Sequence, residues 1–569
     1  MNVCTKLAIS GGNPLPEIYP FSPSAGVGNF QLNNQTLINL SLMFSRKQIL
    51  IAFLLIIFLC RLNPLAAQDY DILLLNGRII NGTGNAWFYG DLGIKDGKIA
   101  SIGQLKNKTA TKTIDVENRV IAPGFIDVHG HIEGSIFRRP TADNFIYDGV
   151  TTIITGNCGS ASDDLADFFR QLDSARVSIN VASLAGHNTI RRQAVGLENL
   201  SITAMHQRKM DSLMAKAMQD GAVGLSTGLI YLPGMYAQTS EVVSLAKVAA
   251  AYGGVYASHI RSEGGKVAEA IDEAIEIGRQ AKLPVQISHF KVAGRANWGR
   301  STETLGYIKK ARQEGYDVTI DQYPYTASST NLNTQLPDWA QSGGLDSIRK
   351  RLSDPVMKAR IEKEMLANLK KNKYPNYSYA VVARHEADSS YNGKSITEIN
   401  QLKGRKNKVK EEIKTVLDLI NAGGAQMVYH SMNENDLRYF MAYPHNMIGA
   451  DAGVSDGTGM PHPRGYGSNA RVLGKYVREE KIISLEEAIR RMTSLAAQKF
   501  NLPSRGLLLE GKAADIVVFD PAIVTDKASF TNPHQFSEGF QWILVNGELV
   551  LENGKHTGVK SGLVLRKGD

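Results

Sequence analysis

Strand-like apolar segments alternate with amphipathic helical segments through the middle of the chain, and this alternation constrains the fold more than any other feature. A strand–helix rhythm sustained over about 350 residues is typical of a parallel sheet covered by helices. The pattern predicts an α/β protein built around a (β/α)8, TIM-like barrel. The candidate strands are residues 120–131, 150–158, 177–186, 222–227, 255–260, 285–290, 317–323, 427–431 and 447–451. The expected helices include 267–281, with apolar residues three and four apart, and 485–500, which the capping pattern Ser484-x-x-Glu487 opens.

The predicted barrel needs eight strands, so one of these candidates is surplus. We assign 427–431 to an insertion, because the preceding residues 335–425 are charged, rich in lysine and mostly helical in pattern. This stretch interrupts the strand–helix rhythm of residues 121–504, which form the expected barrel. We therefore predict an inserted lid or subdomain over 335–425.

Residues 69–120 are predicted to form short strands separated by Asn-Gly and Asp-Gly turns, and the same pattern of short strands and turns recurs over 505–569. A small β-sandwich domain built from both chain ends is the economical interpretation. It places the barrel between two segments that fold together although they are far apart in the sequence.

The N-terminal segment has the pattern of an export signal. Arg46 and Lys47 precede an apolar run of 12 residues over 49–60, and small residues follow at Ala66 and Ala67. We expect residues 1–68 to comprise an upstream extension and a signal peptide at about 43–67 that starts at Met43. A retained membrane anchor is the alternative. Either way, the body of the chain is expected outside the cytoplasm, periplasmic or secreted.

Charge and cysteine content exclude two classes of protein. The formal net charge of +9 is spread over 569 residues, and the densest basic stretch, 403–414, contains Glu411 and Glu412 and no aromatic residues. This is not the pattern of a nucleic-acid-binding protein. Three cysteines do not make a disulfide scaffold, and Cys158 alone lies beyond the signal segment. A metal-binding, catalytic or core role therefore remains open for Cys158.

Potential metal ligands recur where the predicted strands end. In a (β/α)8 barrel the carboxyl ends of the strands meet at one face, so side chains distant in the sequence are expected to converge there. A catalytic zinc needs only three protein ligands, so the set allows one tight site and a weaker second one. His187 is equally suited to substrate binding. Taken singly, each residue is compatible with a packing role; the candidates are His129, His131, Cys158, His187, His259, His289 and Asp451.

Eight short stretches contain or adjoin these positions. They are 122–131 (APGFIDVHGH), 156–159 (GNCG), 224–231 (GLSTGLIY), 256–263 (YASHIRSE), 287–291 (ISHFK), 321–326 (DQYPYT), 461–464 (PHPR) and 511–520 (GKAADIVVFD). Together they resemble the N-acyl-D-amino-acid deacylase (D-aminoacylase) family of the amidohydrolase superfamily, and the likeness covers roughly residues 70–565. The stretches 122–131 and 511–520 are generic to the superfamily, whereas Asn-Cys-Gly, Ser-His-Ile-Arg and Tyr-Pro-Tyr are specific to the deacylase group.

The resemblance implies a zinc-dependent hydrolysis of N-acyl-D-amino acids to a carboxylate and a D-amino acid. It implies a tight zinc on Cys158, His259 and His289, and a weaker second ion on His129, His131 and Asp451. Asp451 is the expected catalytic acid–base group. It is chosen over Asp456 of the Ser-Asp-Gly sequence because it directly follows an apolar strand. The implied contacts for the substrate carboxylate are Lys291, Tyr323, Ser329 and Arg464.

Two alternatives remain at this stage. The same metal site would also suit a D-dipeptide, an isoaspartyl peptide or a cyclic amide such as a hydantoin. A protein of another class, a non-catalytic envelope binding protein, would keep the barrel without the chemistry. The expected partner is a small-molecule substrate, with no nucleic acid and, after signal cleavage, no membrane. The acyl group, the side chain and the oligomeric state are left open.

Overall fold

The structure is a computed structural model that describes residues 68–569, together with Leu50 and Ile51. The expected signal segment, including Met43, Arg46, Lys47 and the small residues before Gln68, otherwise lies outside the described residues. Among the described residues, no helix combines the length and apolarity needed to cross a bilayer.

The strands within residues 68–569 follow the predicted rhythm but are mostly shorter than expected. In chain order they are β1 Tyr70–Ile79, β2 Phe88–Lys95, β3 Lys98–Gly103, β4 Ala110–Asp115, β5 Val120–Pro123, β6 Phe125–Asp127, β7 Val150–Thr155, β8 Asn180–Ser183, β9 Ala185–Gly186, β10 Gly224–Gly228, β11 Val255–His259, β12 Val285–Ile287, β13 Val318–Gln322, β14 Ser328–Asn331, β15 Ala380–Arg384, β16 Gln426–Tyr429, β17 Asn446–Ile448, β18 Ile516–Phe519, β19 Phe540–Val545, β20 Glu548–Glu552 and β21 Lys555–His556.

The α-helices of the same range alternate with the parallel strands and also fill the insertion. They are α1 Asp143–Ile146, α2 Leu165–Ala175, α3 His187–Ala194, α4 Ala204–Asp220, α5 Thr239–Ala251, α6 Val267–Ala281, α7 Ser301–Gln313, α8 Asp338–Gln341, α9 Gly344–Ser353, α10 Pro355–Lys371, α11 Ile396–Leu402, α12 Val409–Asn421, α13 Glu434–Met441, α14 Arg464–Arg471, α15 Leu485–Met492 and α16 Ser494–Lys499. A π-helix, Val472–Glu479, follows α14 directly.

The parallel strands pair in chain order. One sheet has the order β17-β13-β12-β11-β10-β9, and a second has the order β6-β7-β8. Only Leu184 separates β8 from β9, and a parallel bridge between Gly130 and Ala452 links the residues that follow β6 and β17. The α/β class predicted from the sequence is therefore confirmed. Because all these strands are parallel, their carboxyl ends lie at one edge, where the candidate ligands follow.

The insertion has its own small sheet and its own core. β14 and β15 both pair antiparallel with β16, and helices α8 to α12 pack on an apolar cluster that includes Ile361, Val416 and Met427. The surplus strand predicted at 427–431 corresponds to β16, which pairs only with β14 and β15. The paired unit begins at β14, earlier than the 335–425 interval expected from composition. It therefore brings Ser329 against the face that carries the candidate ligands.

Strands from both chain ends hydrogen-bond in one nine-stranded sheet. Its order is β21-β20-β19-β18-β5-β1-β2-β3, with β4 paired beside β1. The antiparallel pairing of β5 with β18 joins the two ends edge to edge, and the β-sandwich expected from them stays a prediction. Apolar side chains from both ends share one core, for example Ile94, Ile121 and Val518. The sheet thus fixes the position of β6, the strand that directly follows β5 in the chain.

Two predicted helices illustrate what local sequence determines. The helix expected at 267–281 is α6, with the same bounds. Ser484 caps α15 by accepting a hydrogen bond from the Glu487 backbone N–H, as the Ser-x-x-Glu pattern indicates. The helix expected to continue to Phe500 is interrupted at Thr493, whose φ and ψ of −132° and −87° are not helical.

Candidate metal centre

The turn that follows β7 presents Cys158 to the face of the strands. Gly156 and Gly159 on either side have positive φ angles of 75° and 76°. A Cβ at Gly156 would lie 2.2 Å from the Leu184 carbonyl oxygen, so no other residue fits there. Ser226 on β10 accepts a hydrogen bond from the Gly159 N–H, which fixes the turn against the neighbouring strand. Close backbone packing therefore explains the two glycines of the Gly-Asn-Cys-Gly sequence, and it directs the Cys158 thiol toward the carboxyl ends of the strands.

Cys158, His259 and His289 bring three donor atoms together. The Cys158 Sγ lies 3.5 Å from His259 Nδ1 and 3.5 Å from His289 Nε2, and the two ring nitrogens lie 2.8 Å apart. All three side chains are buried. His259 is the last residue of β11, and His289 follows β12 by two residues. The convergence predicted at the strand ends is therefore present for these three residues.

A second group of donors adjoins the first and shares its cysteine. His131 Nε2 lies 3.1 Å from Asp451 Oδ1, and His129 Nε2 lies 3.6 Å from the same oxygen. His129 Nε2 also lies 3.3 Å from the Cys158 Sγ. His129, His131, Cys158 and Asp451 thus form a second possible metal-binding group, and the thiol belongs to both groups.

Backbone strain is concentrated at these donors. Cys158, His289 and Asp451 have φ angles of 53°, 37° and 51°, in the left-handed region that non-glycine residues rarely adopt. Each such residue costs on the order of 1–3 kcal/mol and persists only where its surroundings hold it. Three strained residues within one donor cluster are typical of a site in which geometry is fixed for chemistry rather than for stability.

The chemistry of the donors fits a zinc-like cation. Burial raises the pKa of the Cys158 thiol well above its usual value, so a thiolate there needs a cation beside it. Burial, and then the His289 ring, lower the pKa of His259 well below its usual value, so the imidazole is neutral and offers a lone pair.

The distances between the donor atoms also fit a zinc ion. A tetrahedral zinc site with ordinary bond lengths separates sulfur from nitrogen by about 3.5 Å and nitrogen from nitrogen by about 3.3 Å. The two sulfur–nitrogen distances match this value, and the nitrogen–nitrogen distance of 2.8 Å is shorter by about 0.5 Å. A small outward shift of one imidazole would complete the fit.

A cavity of about 640 Å³ opens onto the donors. Its lining includes His131, Cys158 and Asp451 together with Ser329 of β14 and Arg464 at the start of α14. A volume of this size suits a small-molecule ligand. Three of the donors and two of the expected carboxylate contacts therefore face one space.

Arg464 lines this space beside Asp451, and Tyr323 packs against Arg464. Arg464 is buried, and its Nη1 lies 2.8 Å from Asp451 Oδ2. The Arg464 Nη2 donates a hydrogen bond to the Ser329 carbonyl oxygen at 3.4 Å. The Tyr323 ring lies between two cations, with the Arg464 Cζ at 4.5 Å and the Lys291 Nζ at 5.7 Å from its centroid. Tyr323 and Lys291 are thus buried behind the cavity lining formed by Arg464.

The charge state of Asp451 is set by its neighbours. Burial alone would raise its pKa, but the Arg464 guanidinium, then His129 and His131, hold that pKa well below its usual range. Asp451 is therefore a carboxylate over the whole neutral pH range. At the rim of the donor cluster this carboxylate is free to accept a proton, and it is a weak base while Arg464 is paired with it.

Asp456, the alternative in the Ser-Asp-Gly sequence, lines the same cavity but has different partners. Its carboxylate accepts a hydrogen bond from the Thr458 hydroxyl and lies 3.2 Å from the Arg384 Nη1. It belongs to neither donor group. The choice of Asp451 from its position after an apolar strand thus agrees with the geometry.

His187, expected as a substrate contact, does not line the cavity. It is fully buried, and its Nε2 lies 2.8 Å from Glu241 Oε1. Glu241 also accepts a hydrogen bond from the Arg191 Nε at 3.1 Å. The physical reason is that His187 begins α3 and turns toward α5, so it joins two outer helices rather than the donor cluster.

Two residues near the donors were not singled out from the sequence. Tyr231 lines the cavity, and its ring meets that of His259 edge-on at 4.7 Å. Asp321, the last residue but one of β13, accepts a hydrogen bond from the His289 backbone N–H at 2.8 Å and lies 3.4 Å from His129 Nδ1. Tyr231 belongs to the stretch 224–231 and Asp321 to the stretch 321–326, but the residue spacing within these stretches does not predict their contacts with the donor histidines.

Comparison with known proteins identifies the family. The model of the amidohydrolase family matches residues 112–344 and 420–551, more than half of the chain. The unmatched residues between these two stretches fall within the insertion. The match therefore covers the parallel strands, the donors and much of the C-terminal part of the nine-stranded sheet.

Characterised relatives match along nearly their whole length. An N-acyl-D-glutamate deacylase of Alcaligenes xylosoxydans xylosoxydans is 35% identical over 502 residues, 84% of this chain and 93% of the relative. A D-aminoacylase of the same organism is 34% identical over 524 residues, 88% and 98% of the two chains. The crystal structure of the N-acyl-D-glutamate deacylase of Bordetella bronchiseptica, complexed with zinc and a phosphonate mimic of the tetrahedral intermediate, is 33% identical, with a TM-score of 0.76 over 88% of this chain and 100% of that one. This chain therefore belongs to the amidohydrolase family, within its N-acyl-D-amino-acid deacylase group.

Proposed function

We propose that this chain is a metal-dependent amidohydrolase that hydrolyses the amide bond of N-acyl-D-amino acids to a carboxylate and a free D-amino acid. The observation that carries the proposal is the convergence of Cys158, His259 and His289 beside a cavity that is lined by Cys158, the ionised Asp451 and Arg464. The names of the deacylase relatives support the same reaction.

The donor geometry supports one tight zinc on Cys158, His259 and His289, at the mouth of a (β/α)8 barrel formed by the parallel strands. His129, His131 and Asp451 would hold a weaker second divalent ion. When bound, such an ion supplies a Lewis acid for the amide carbonyl and makes water nucleophilic at neutral pH. Three protein ligands leave room for the reacting groups, as catalytic rather than structural zinc sites do.

Asp451 is placed to move the proton. Its Oδ1 lies 3.1 Å from His131 Nε2, and its Oδ2 is held by Arg464, so the carboxylate has a fixed orientation at the cavity wall. We infer that Asp451 accepts the proton of the attacking water and then delivers it to the leaving nitrogen. The D-amino acid thereby leaves as a neutral amine.

Arg464 is the principal candidate for binding the substrate α-carboxylate. Its guanidinium is planar and offers a two-pronged contact, whereas the Lys291 ammonium and the Tyr323 ring stand behind it. Ser329, on β14 of the insertion, completes this wall of the cavity. With the α-carboxylate held here and the amide held at the donors, the side chains of the two enantiomers point to different parts of the cavity wall, and acceptance of only one of them is the proposed source of D-specificity.

A substrate panel tests this proposal. The zinc-loaded protein is assayed with N-acetyl-D-amino acids, the matching L-compounds, D-dipeptides, isoaspartyl peptides and hydantoins. We expect release of free amino acid from N-acyl-D compounds and little from their L-enantiomers. Hydrolysis confined to hydantoins or peptides would replace the proposed substrate class. No turnover of any compound, with zinc bound, would indicate a binding protein.

We also propose that the mature protein starts near Gln68 after removal of a signal peptide, which would place the enzyme outside the cytoplasm. The basic pair, the apolar run and the small residues before Gln68 support this proposal. Mass spectrometry of the mature N-terminus, after expression in a host with a secretion pathway, tests it. An intact N-terminus on cytoplasmic protein would contradict it.

A further inference from the structure

Glu263 lies on the far side of the two zinc-binding imidazoles from Cys158. It is in the loop between β11 and α6, four residues after His259, and its side chain is 15% exposed. Its Oε1 lies 3.0 Å from His289 Nδ1 and 3.9 Å from His259 Nε2. The same oxygen accepts a hydrogen bond from the Lys291 Nζ at 2.5 Å. One carboxylate therefore touches a donor residue and a cation of the expected substrate site.

The ring of His289 has two possible tautomers, and its neighbours distinguish them. Its Nε2 faces the Cys158 Sγ and His259 Nδ1, so Nε2 must keep its lone pair free if it is to bind a cation. Nδ1 must then carry the proton, and it needs an acceptor. Glu263 is that acceptor, because a carboxylate only accepts and lies at hydrogen-bond distance.

Lys291 alone would favour the opposite tautomer. Its Nζ lies 2.8 Å from His289 Nδ1, and an ammonium group can only donate. Without Glu263, Lys291 would donate to Nδ1 and the proton would move to Nε2, where it blocks the cation. With Glu263 present, Lys291 and Nδ1–H both donate to the one carboxylate oxygen. Glu263 thus decides whether these two neighbours support or oppose metal binding.

We propose that Glu263 is a positioning residue that holds His289 in its metal-binding tautomer and at the same time fixes Lys291 behind the carboxylate site. The inference rests on the proposed function, since it assumes a metal on His289. It extends that function by giving one residue control over both the metal site and the substrate wall. Carboxylates that orient metal-binding histidines typically contribute 10- to 100-fold in metal affinity.

The Glu263→Gln variant tests the proposal. The glutamine amide keeps the shape of the carboxylate but carries no charge, so its oxygen is a weaker acceptor for Lys291 and for His289 Nδ1. We expect the dissociation constant of zinc, measured by competition with a chromogenic chelator, to rise by about 10- to 100-fold. In the cobalt-loaded protein, the thiolate-to-metal absorption should weaken at the same total cobalt concentration. KM for an N-acyl-D-amino acid should rise at saturating metal because Lys291 loses its anchor.

Glu273→Gln is the matched control. Glu273 lies on α6, is largely buried, and accepts hydrogen bonds from Arg261 at 2.8 Å and 2.9 Å. It has no contact with His259, His289 or Lys291 among its hydrogen bonds. We expect this variant to lower thermal stability without changing zinc affinity. A drop in zinc affinity of equal size in both variants would show a general loss of stability and overturn the proposal.

A crystal structure of the zinc-loaded wild-type protein keeps the proposal falsifiable if Glu263→Gln does not fold. We expect zinc on His289 Nε2 and a Glu263 oxygen within hydrogen-bond distance of Nδ1. Zinc on Nδ1, or Glu263 turned away, would overturn the proposal. Wild-type protein that binds no zinc would instead refute the proposed function. Wild-type protein that binds zinc no more tightly than Glu263→Gln would refute only the role of Glu263.

Discussion

Arg464 Nη1 lies 2.8 Å from Asp451 Oδ2, so the proposed carboxylate-binding residue is ion-paired with the proposed acid–base residue. Both side chains are largely buried, which strengthens the contact relative to a surface pair. Substrate binding and proton transfer therefore share one contact. A substrate carboxylate that binds Arg464 will compete with Asp451 for the guanidinium. It will therefore weaken the ion pair between Arg464 and Asp451.

The first prediction concerns the proton-transfer role of Asp451. Replacing it by asparagine keeps the shape but removes the basic oxygen, so kcat should fall by about 10²- to 10⁴-fold. Zinc should remain on Cys158, His259 and His289, which metal analysis of the same sample checks. Asp456→Asn is the control, because Asp456 pairs with Arg384 and Thr458 outside the donor groups, and its kcat should stay near that of the wild type. Equal rates in the wild type and Asp451→Asn would refute the role.

The second prediction concerns recognition by Arg464. Arg464→Lys keeps the charge but loses the two-pronged contact, so kcat/KM should fall by about 10- to 100-fold, the worth of a charged hydrogen bond. The variant should also discriminate less between D- and L-substrates. Steady-state kinetics with both enantiomers measures this. Arg279→Lys, at the partly exposed pair with Glu276, is the control and should change kcat/KM little. Unchanged D-preference in Arg464→Lys would contradict the assignment.

A third prediction concerns the buried carboxyl of Asp148. It accepts hydrogen bonds from the Asn469 and Ala470 N–H groups and from the Ser537 hydroxyl. Burial raises the pKa of Asp148 to about 7, against an ordinary value of 3.8. Between these two pH values the folded protein holds a proton that the unfolded chain releases. The free energy of unfolding should therefore decrease as the pH rises from about 4 to about 7.

Urea unfolding followed at about pH 5 and about pH 7.5 measures this effect. We expect the loss of stability between the two values to be smaller in Asp148→Asn, which has no proton to release. Asp346→Asn, at a side chain that is 88% exposed, is the control and should unfold like the wild type at both values. An identical pH dependence in the wild type and Asp148→Asn would exclude Asp148 as its cause.

Sequence patterns predicted the elements whose physical cause is local. Helix α6 follows from apolar residues three and four apart, and the order of the parallel strands follows from their alternation with helices. Placing His259 and His289 at successive strand ends was enough to bring their rings together, because the carboxyl ends of parallel strands share one edge. The β14–β16 sheet shows the limit of this reasoning: composition located its helices but not β14, which lies outside the charged stretch.

The details of the site depend on tertiary contacts that no local pattern encodes. The left-handed backbone at Cys158 and Asp451 is imposed by packing, and the presence of a cysteine or an aspartate in the sequence does not predict it. Lys291 has the composition of a surface residue, yet it is buried because Glu263 neutralises its charge. His187 follows a strand as the other histidines do, but its side chain hydrogen-bonds to Glu241 on a neighbouring helix and does not reach the donor cluster. Such pairings between distant residues become visible only in the folded chain.

Zinc content per chain, in the wild type and in Cys158→Ala, tests the central claim most directly. Both proteins are loaded with zinc, dialysed against buffer, and analysed by elemental mass spectrometry at equal protein concentration. If Cys158, His259 and His289 hold a catalytic ion, the wild type will retain about one tight zinc and Cys158→Ala will lose it, because the shared thiolate is gone. Equal zinc retention by the two proteins, or none by the wild type, would contradict the account.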